Sequence, residues 1–190
     1  INGANITVPF KKDVISYVDQ LSLEAEKTRS VNTVYLKDNK IIGHNTDIDG
    51  FELAIKYANY DVEGKKVLIL GAGGVVPSII FALYKMRVLS VTISNRTKIK
   101  AEYLKSLFND LKIVDWGYAS SFDMIINATS IGLKKEDKLN LDFSKFQNSE
   151  FFYDVIYNPK ETNFLRDGKR SGKKTENGKR MFIYQAAKAF

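Results

Sequence analysis

The chain has 190 residues, enough for one large or two small domains, and its hydrophobic content of 44% suffices for a buried core. It contains neither the roughly 18 consecutive apolar residues of a membrane span nor a secretory signal pattern, so we expect a soluble, cytoplasmic protein. Cysteine is absent, which excludes disulfides and thiol chemistry, and the scattered basic residues behind the net charge of +7 favour a small anionic ligand over nucleic acid.

The first elements combine strand and helix patterns. Alternating apolar residues at Ile6, Val8 and Phe10 predict a strand. The apolar spacing over residues 11–23 predicts a helix that follows this strand.

A hairpin and a second helix are predicted next. The apolar runs 31–36 and 41–42 flank the charged tetrapeptide 37–40, which is typical of a hairpin turn. Residues 45–46 (Asn-Thr) supply an N-cap for a helix whose apolar face runs through residues 51–58.

From residue 66 onward, short apolar strands alternate with amphipathic helices. Strands are predicted at 67–70, 88–94, 113–114, 124–126 and 151–155, and helices at 75–84 and 98–108. This alternation predicts an α/β fold with a Rossmann-type doubly wound parallel sheet. The basic run 169–174 is interpreted as a solvated surface loop.

A glycine-rich turn separates the first of these strands from its helix. Gly71, Gly73 and Gly74 would let a pyrophosphate approach the backbone and the N–H groups of the helix N-terminus. Val76 stands where the third glycine of G-x-G-x-x-G would be, so a plain tight turn stays the alternative.

The end of the next strand indicates which dinucleotide is bound. NAD-binding proteins commonly place Asp or Glu there, whereas this chain has Asn95, Arg96 and Thr97. Arg96 can pair with a 2′-phosphate and Thr97 can donate a hydroxyl, so the pattern favours NADP. Helix capping by Asn95 and Thr97 is the alternative, and it is compatible with phosphate binding.

Short motifs recur along nearly the whole chain. They occupy residues 3–11 (Gly-Ala-Asn-Ile-Thr-Val-Pro-Phe-Lys), 31–33 (Val-Asn-Thr), 45–51, 71–74, 95–97, 127–132, 154–165 and 178–185. In identity and order they resemble those of shikimate dehydrogenases, which use NADPH to reduce 3-dehydroshikimate to shikimate in chorismate and aromatic amino acid biosynthesis. The resemblance also implies that an N-terminal segment with two substrate-binding serines is missing here.

The resemblance implies a role for each matching residue. Lys11 would donate the proton and Asp47 would hold it in place, which suits a ketone reduction that needs a proton donor at the developing alkoxide. The implied substrate-binding residues are Thr7, Asn32, Asp47, Tyr157 and Gln185. The implied NADP(H)-binding residues are Gly71, Ala72, Gly73, Gly74, Asn95, Arg96, Thr97, Asn127, Thr129, Ser130, Gly178 and Met181.

The resemblance further predicts two domains with a cleft between them. Residues 1–45 with 181–190 would form an incomplete α/β substrate-binding domain, and residues 46–180 the NADP domain. We expect shikimate and 3-dehydroshikimate as partners, a monomer or homodimer, and no metal, nucleic acid or membrane. Two alternatives stay open: a quinate/shikimate dehydrogenase that prefers NAD, and an inactive basic binding module.

Overall fold

The computed structural model describes residues 2–118 and 120–190, and the described strands form two sheets. The smaller sheet consists of β1 (Gly3–Asn5), β2 (Gln20–Leu21), β3 (Thr33–Lys37) and β4 (Lys40–His44). Its strand order is β1-β3-β4-β2; β3 pairs antiparallel with β1 and β4, and β2 is parallel to β4. The N-terminal part of the chain therefore forms a mixed sheet of its own.

The predicted hairpin is confirmed. Asp38 and Asn39 form its turn with positive φ angles of 52° and 59°, the combination of a type I′ turn, whose twist matches that of paired strands. Directly before β3, the N–H of Asn32 donates to the carbonyl of His44 at 3.0 Å. The hairpin thus places Asn32 beside the segment that follows β4.

The predictions for residues 6–23 are wrong. Strand β1 ends before Ile6, and a 3-10 helix (Asp13–Tyr17) followed by the two-residue strand β2 lies where a long helix was expected. The first α-helix is α1 (Leu23–Thr28). Residues 6–22 therefore form a strap of turns that contains the short 3-10 helix and β2, rather than a strand followed by a long helix.

The local sequence explains this difference. Val14 and Ile15 are β-branched, which lowers helix propensity, and Lys12 at the N-cap position has no acceptor for helix N–H groups. Ser22 does have such an acceptor. Its Oγ accepts a hydrogen bond from the N–H of Ala25 at 3.2 Å, and α1 begins at the next residue. The capping residue, more than the apolar spacing, decides where the helix begins.

The larger sheet confirms the predicted doubly wound architecture. Within the described residues it contains β5 (Lys66–Leu70), β6 (Ser90–Ser94), β7 (Lys112–Val114), β8 (Met124–Asn127), β9 (Phe151–Asp154) and β10 (Lys174–Asn177). All its pairings are parallel, and the strand order is β10-β9-β8-β5-β6-β7. The chain moves outward from β5 to β7, then returns to β8 on the other side, which creates a crevice at the carboxyl ends of β5, β6 and β8.

Both faces of this sheet are buried. Val67 and Ile69 contribute to one apolar cluster and Leu68 and Leu70 to another, because successive strand side chains point to opposite faces. The uninterrupted apolar run of β5 is what a strand covered on both faces requires.

Helices cover these faces. They are α2 (Asp47–Tyr57), α3 (Val76–Lys85), α4 (Lys98–Leu107), α5 (Asn163–Arg170) and α6 (Lys179–Ala189). The interpretation of 169–174 as exposed surface is confirmed at every residue except Lys173, which is partly buried, but the loop is shorter than predicted, since α5 continues through Arg170 and β10 begins at Lys174. β10 is a polar edge strand held by backbone pairing with β9, so it lacks the apolar alternation that marks a strand in sequence.

The C-terminal helix packs closely on α2. A methyl group at Gly50 would lie 2.7 Å from Cβ of Gln185 and 2.9 Å from the carbonyl oxygen of Met181. Ala186 and Ala189, farther along α6, line a groove together with Val34 of the small sheet. Helix α6 therefore returns the chain end to its N-terminal part, and the predicted division into two domains stays a prediction.

Across residues 2–118 and 120–190, no helix combines the length and apolar character that crossing a membrane demands.

Candidate functional site

The two predicted catalytic residues lie in direct contact. Lys11 Nζ is 2.6 Å from Asp47 Oδ2, although the residues are 36 positions apart. Their side chains are 13% and 7% exposed. Asp47 is the first residue of α2, and the carbonyl of Lys11 accepts the N–H of Val31 at 2.8 Å. The strap that carries Lys11 is thereby tied to the residue next to Asn32.

Asn32 connects this pair to the C-terminal helix. It is 3% exposed, and its Nδ2 donates to Asp47 Oδ1 at 3.1 Å and to Gln185 Oε1 at 3.2 Å. Its Oδ1 accepts the N–H of Thr46 at 2.8 Å. Both ends of the amide are therefore used, which fixes the orientation of Asn32. We call Lys11, Asn32, Asp47 and Gln185 the polar cluster.

The start of α2 differs in detail from the prediction. Asn45 Oδ1 accepts the N–H of Asp47 at 3.1 Å, as a capping residue does. The hydroxyl of Thr46 instead donates to the backbone carbonyl of Gln185 at 2.9 Å. Thr46 thus joins α2 to α6, a tertiary contact that sequence reasoning took for a cap.

Two predicted substrate residues lie outside the polar cluster. Thr7 is exposed and lines an apolar groove with Phe10 and Tyr17. Tyr157 is 44% exposed and stacks on Phe182, with ring centroids 4.8 Å apart. Phe182 and Gln185 both lie in α6, and Gln185 Nε2 donates to the carbonyl of Phe182. Tyr157 therefore flanks the helix that carries Gln185. Their roles in substrate binding stay predictions.

The glycine turn between β5 and α3 combines a constrained and an open position. Gly71 has φ of 104°, and a methyl group there would lie 2.8 Å from the carbonyl oxygen of Ala128. At Gly73 the nearest atom would be 3.6 Å away, and at Gly74 no atom lies within 4 Å. Gly71 is required by the backbone, whereas the backbone at Gly74 borders open space; that Gly74 contacts a pyrophosphate stays a prediction.

The opposite wall of the crevice is cationic. Arg96 and Thr97 follow β6 and are exposed, and Lys100 in the first turn of α4 joins them; sequence reasoning missed Lys100. Asn95 Nδ2 donates to the carbonyl of Thr97 at 2.7 Å. Thr97 stands at the N-cap of α4, where, among the described residues, its hydroxyl caps none of the helix N–H groups. Arg96 and Lys100 are both exposed in this lining, so both cations are available to an anion.

The loop after β8 is held by a buried network. Asn127 Oδ1 accepts from Thr129 at both the N–H (3.1 Å) and the hydroxyl (2.7 Å). Asn127 Nδ2 donates to both oxygens of Asp154 at 3.1 Å, and Thr162 donates to Asp154 at 2.6 Å. Burial raises the pKa of Asp154 to about 6, against the lowering effect of these hydrogen bonds and of the N–H of Ile156. Sequence reasoning gave Asp154 no role, but it fixes Asn127 and so the loop.

These three segments line one cleft with a volume of about 290 Å³. Its described lining residues include two cations and no carboxylate: Gly71, Ala72, Gly73, Asn95, Arg96, Thr97, Lys100, Trp116, Ala128, Thr129, Ser130 and Ile131. This composition fits a dinucleotide with an additional phosphate.

Three residues predicted to bind the cofactor are packed within the fold. Asn127 is fully buried, Met181 is 4% exposed within the apolar core, and Gly178 packs against the backbone of Val155. Whether they also contact the cofactor stays a prediction.

A parallel doubly wound sheet, with a glycine turn and a cationic wall at its crevice, defines a Rossmann-type dinucleotide-binding protein. Residues 1–34 match the model for "Shikimate dehydrogenase substrate binding domain", and residues 52–156 match the model for "Shikimate / quinate 5-dehydrogenase". A shikimate dehydrogenase (NADP(+)) of Pelagibacter ubique is 58% identical over 190 residues, which cover 100% of this chain and 72% of that protein.

Solved structures give the same result. Shikimate 5-dehydrogenase from Listeria monocytogenes, in complex with shikimate and NAD, has a TM-score of 0.92 at 30% identity and is matched over 100% of this chain and 71% of its own. The Thermus thermophilus enzyme, in complex with NADP(H) and shikimate, has a TM-score of 0.90 at 33% identity, with 100% and 72% covered. The chain belongs to the shikimate dehydrogenase family.

Proposed function

We propose that this chain interconverts 3-dehydroshikimate and shikimate with NADP(H), and that it works toward shikimate in aromatic amino acid biosynthesis. As a member of its family, it is an NADP-dependent oxidoreductase. The observation that carries the proposal is the Lys11–Asp47 contact of 2.6 Å inside a largely buried polar cluster.

Lys11 is suited to handle the proton of this reaction. Reduction of a ring ketone leaves a developing negative charge on oxygen, and a positioned ammonium can both stabilise that charge and donate a proton. In the oxidative direction the neutral amine would take the proton back from the alcohol. Asp47, whose Oδ2 lies 2.6 Å from Lys11 Nζ, holds this group in place and limits its rotation.

The rest of the polar cluster offers hydrogen bonds to a hydroxylated ring. An ionised carboxylate has about four acceptor sites, of which Asp47 uses two for Lys11 and Asn32. Asp47 can therefore accept a hydrogen bond from a substrate hydroxyl as well. Asn32, whose amide is already used within the cluster, would hold Asp47 and Gln185 in place beside the ring.

The cleft suits NADP(H). This cofactor, when bound, supplies or takes up the hydride. Residues 71–74 would hold the pyrophosphate, and Arg96, Thr97 and Lys100 the 2′-phosphate, since no carboxylate among the described lining residues would repel it.

A quinate/shikimate dehydrogenase that prefers NAD is the second candidate. It is favoured by the Listeria monocytogenes neighbour, whose structure contains NAD, and by the family model, which names quinate. The two candidates differ in kcat/KM for NADPH against NADH and for shikimate against quinate.

The test is a spectrophotometric assay of the full-length gene product in both directions. We expect NADPH consumption with 3-dehydroshikimate, NADP-dependent oxidation of shikimate, and a kcat/KM that favours NADPH over NADH. A preference for NADH and quinate would support the second candidate, and binding of NADP without turnover of either acid would overturn both.

A further inference from the structure

Trp116 stands at the edge of the cleft. It is the only tryptophan in the sequence and lies two residues beyond β7. The hydroxyl of Ser94, at the end of β6, donates to the carbonyl of Asp115 at 3.0 Å, which ties the ends of the two strands together. Trp116 is thereby held in the same cleft as Arg96.

Trp116 borders two different surroundings. It is half-buried and packs against the apolar cluster that contains Leu68 and Leu70, and it also lines the cleft. Ile131, which lies against the same cluster, is a second apolar residue of the lining. The cleft thus has an apolar, aromatic part next to its cationic part.

This pairing matches the chemistry of one end of NADP(H). The adenine is bonded to the ribose carbon next to the one that carries the 2′-phosphate, so a cleft that holds this phosphate with Arg96 and Lys100 has the base close by. Bases stack readily on aromatic side chains because each has a flat π-face. We propose that Trp116 is the platform on which the adenine of NADP(H) stacks, an inference that rests on the proposed NADP-dependent function.

The competing explanation is structural, with Trp116 serving only to cover the apolar cluster. Two substitutions separate the explanations. Trp116→Leu keeps an apolar side chain against the cluster but removes the aromatic face, and Trp116→Phe keeps an aromatic face of smaller area. A purely structural role predicts a loss of thermal stability in Trp116→Leu without a specific loss of ligand affinity.

The experiment uses adenosine 2′,5′-bisphosphate, which contains the adenine and the 2′-phosphate but no nicotinamide. Titration calorimetry measures its affinity for the full chain, and the fluorescence of Trp116 reports contact in the unsubstituted protein. We expect quenching that saturates with binding, roughly 10-fold weaker affinity in Trp116→Leu, and near-normal affinity in Trp116→Phe. Tyr118→Leu removes an exposed aromatic two residues away and outside the cleft, and should bind normally.

The outcomes distinguish this inference from the proposed function. If the unsubstituted chain binds the bisphosphate without a change in Trp116 fluorescence, or if Trp116→Leu binds as tightly, the platform is wrong while NADP binding stands. If the unsubstituted chain does not bind the bisphosphate, the proposed cofactor specificity fails, and the platform fails with it. The fluorescence result needs no variant, so it holds even if a substitution impairs folding.

Discussion

The nucleotide cleft and the polar cluster are built in different ways. The cleft collects short segments that each follow a strand of the large sheet, at residues 71–73, 95–97 and 128–131. The polar cluster joins side chains far apart in sequence: 36 positions separate Lys11 from Asp47, and 153 separate Asn32 from Gln185. Local sequence sets the first region, whereas the second exists only when the hairpin, the strap, α2 and α6 come together.

A buried carboxylate also belongs to the polar cluster, and another, Asp154, supports the loop after β8 from outside the cleft lining; the two are stabilised differently. Asp47 contacts the ammonium of Lys11. Among the described residues, the hydrogen bonds to Asp154 come from neutral groups of Asn127, Thr162 and Ile156. A charge pair suits proton chemistry, while a carboxylate among neutral donors suits the holding of a loop.

The largest expected effect is on the polar cluster. Lys11→Ala should lower kcat by about 100-fold or more, because a positioned general acid contributes roughly 10²–10⁴-fold, with little change in NADPH affinity. Steady-state kinetics and calorimetry check this. Lys12→Ala, which alters the exposed neighbouring lysine, should retain most of the activity. An unchanged kcat in Lys11→Ala would remove this residue from the mechanism.

The second largest expected effect is a pH dependence of the free energy of unfolding that arises from Asp154. Its pKa is raised to about 6 in the folded chain, and an aspartate in the unfolded chain titrates near 3.9. The stability that this group contributes is therefore fully present below about pH 4 and lost as pH rises through about 6, by an amount on the order of 3 kcal/mol. Urea unfolding over this pH range should show the fall in the natural chain and its absence in Asp154→Asn.

The matched control for this measurement is Asp142→Asn. Asp142 is exposed and Ser144 lowers its pKa, so its own contribution runs in the opposite direction and the fall should persist in this variant. If Asp154→Asn keeps the full pH dependence, another group is responsible for it.

A smaller effect is expected at the cationic wall. Arg96→Ala should weaken NADPH binding by about 10- to 100-fold, the range for loss of a charged hydrogen bond, and leave NADH binding nearly unchanged. Arg87→Ala removes an exposed arginine that pairs with Glu63 before β6 and serves as the control. Equal losses for NADPH and NADH would show that Arg96 does not read the 2′-phosphate.

Two glycines, Gly50 next to the polar cluster and Gly74 in the glycine turn at the cleft, give the smallest effects and the sharpest contrast. Gly50→Ala should lower the free energy of unfolding by about 1–3 kcal/mol, because the methyl group overlaps Gln185 and α6 must shift. Gly74→Ala meets no atom within 4 Å, so it should leave stability nearly unchanged and weaken only NADPH binding. Thermal unfolding and calorimetry on both variants decide; a destabilised Gly74→Ala with normal NADPH affinity would contradict the contrast.

Much of the large sheet could be predicted from the sequence. Residues 67–70 of β5 are a continuous apolar run, and the residues expected to bind the cofactor at 71–74 and 95–97 are neighbours in sequence, so pattern and spacing carry the information. β10 escaped prediction because an edge strand is held by backbone hydrogen bonds that leave no apolar signature. The prediction for residues 6–23 was wrong because it relied on apolar spacing and gave too little weight to β-branching and to helix capping.

By itself, the sequence determined the parallel α/β architecture, the glycine turn and the arginine that follows β6, since each depends on neighbouring residues. Only the tertiary structure decided that Lys11 and Asp47 touch, that Asn32 and Thr46 bond to Gln185, and that Lys100 and Trp116 share the cleft with Arg96. Such contacts depend on how helices and strands pack against one another. At Gly50, the absence of a side chain lets α6 approach α2 closely, and no local sequence pattern predicts this approach.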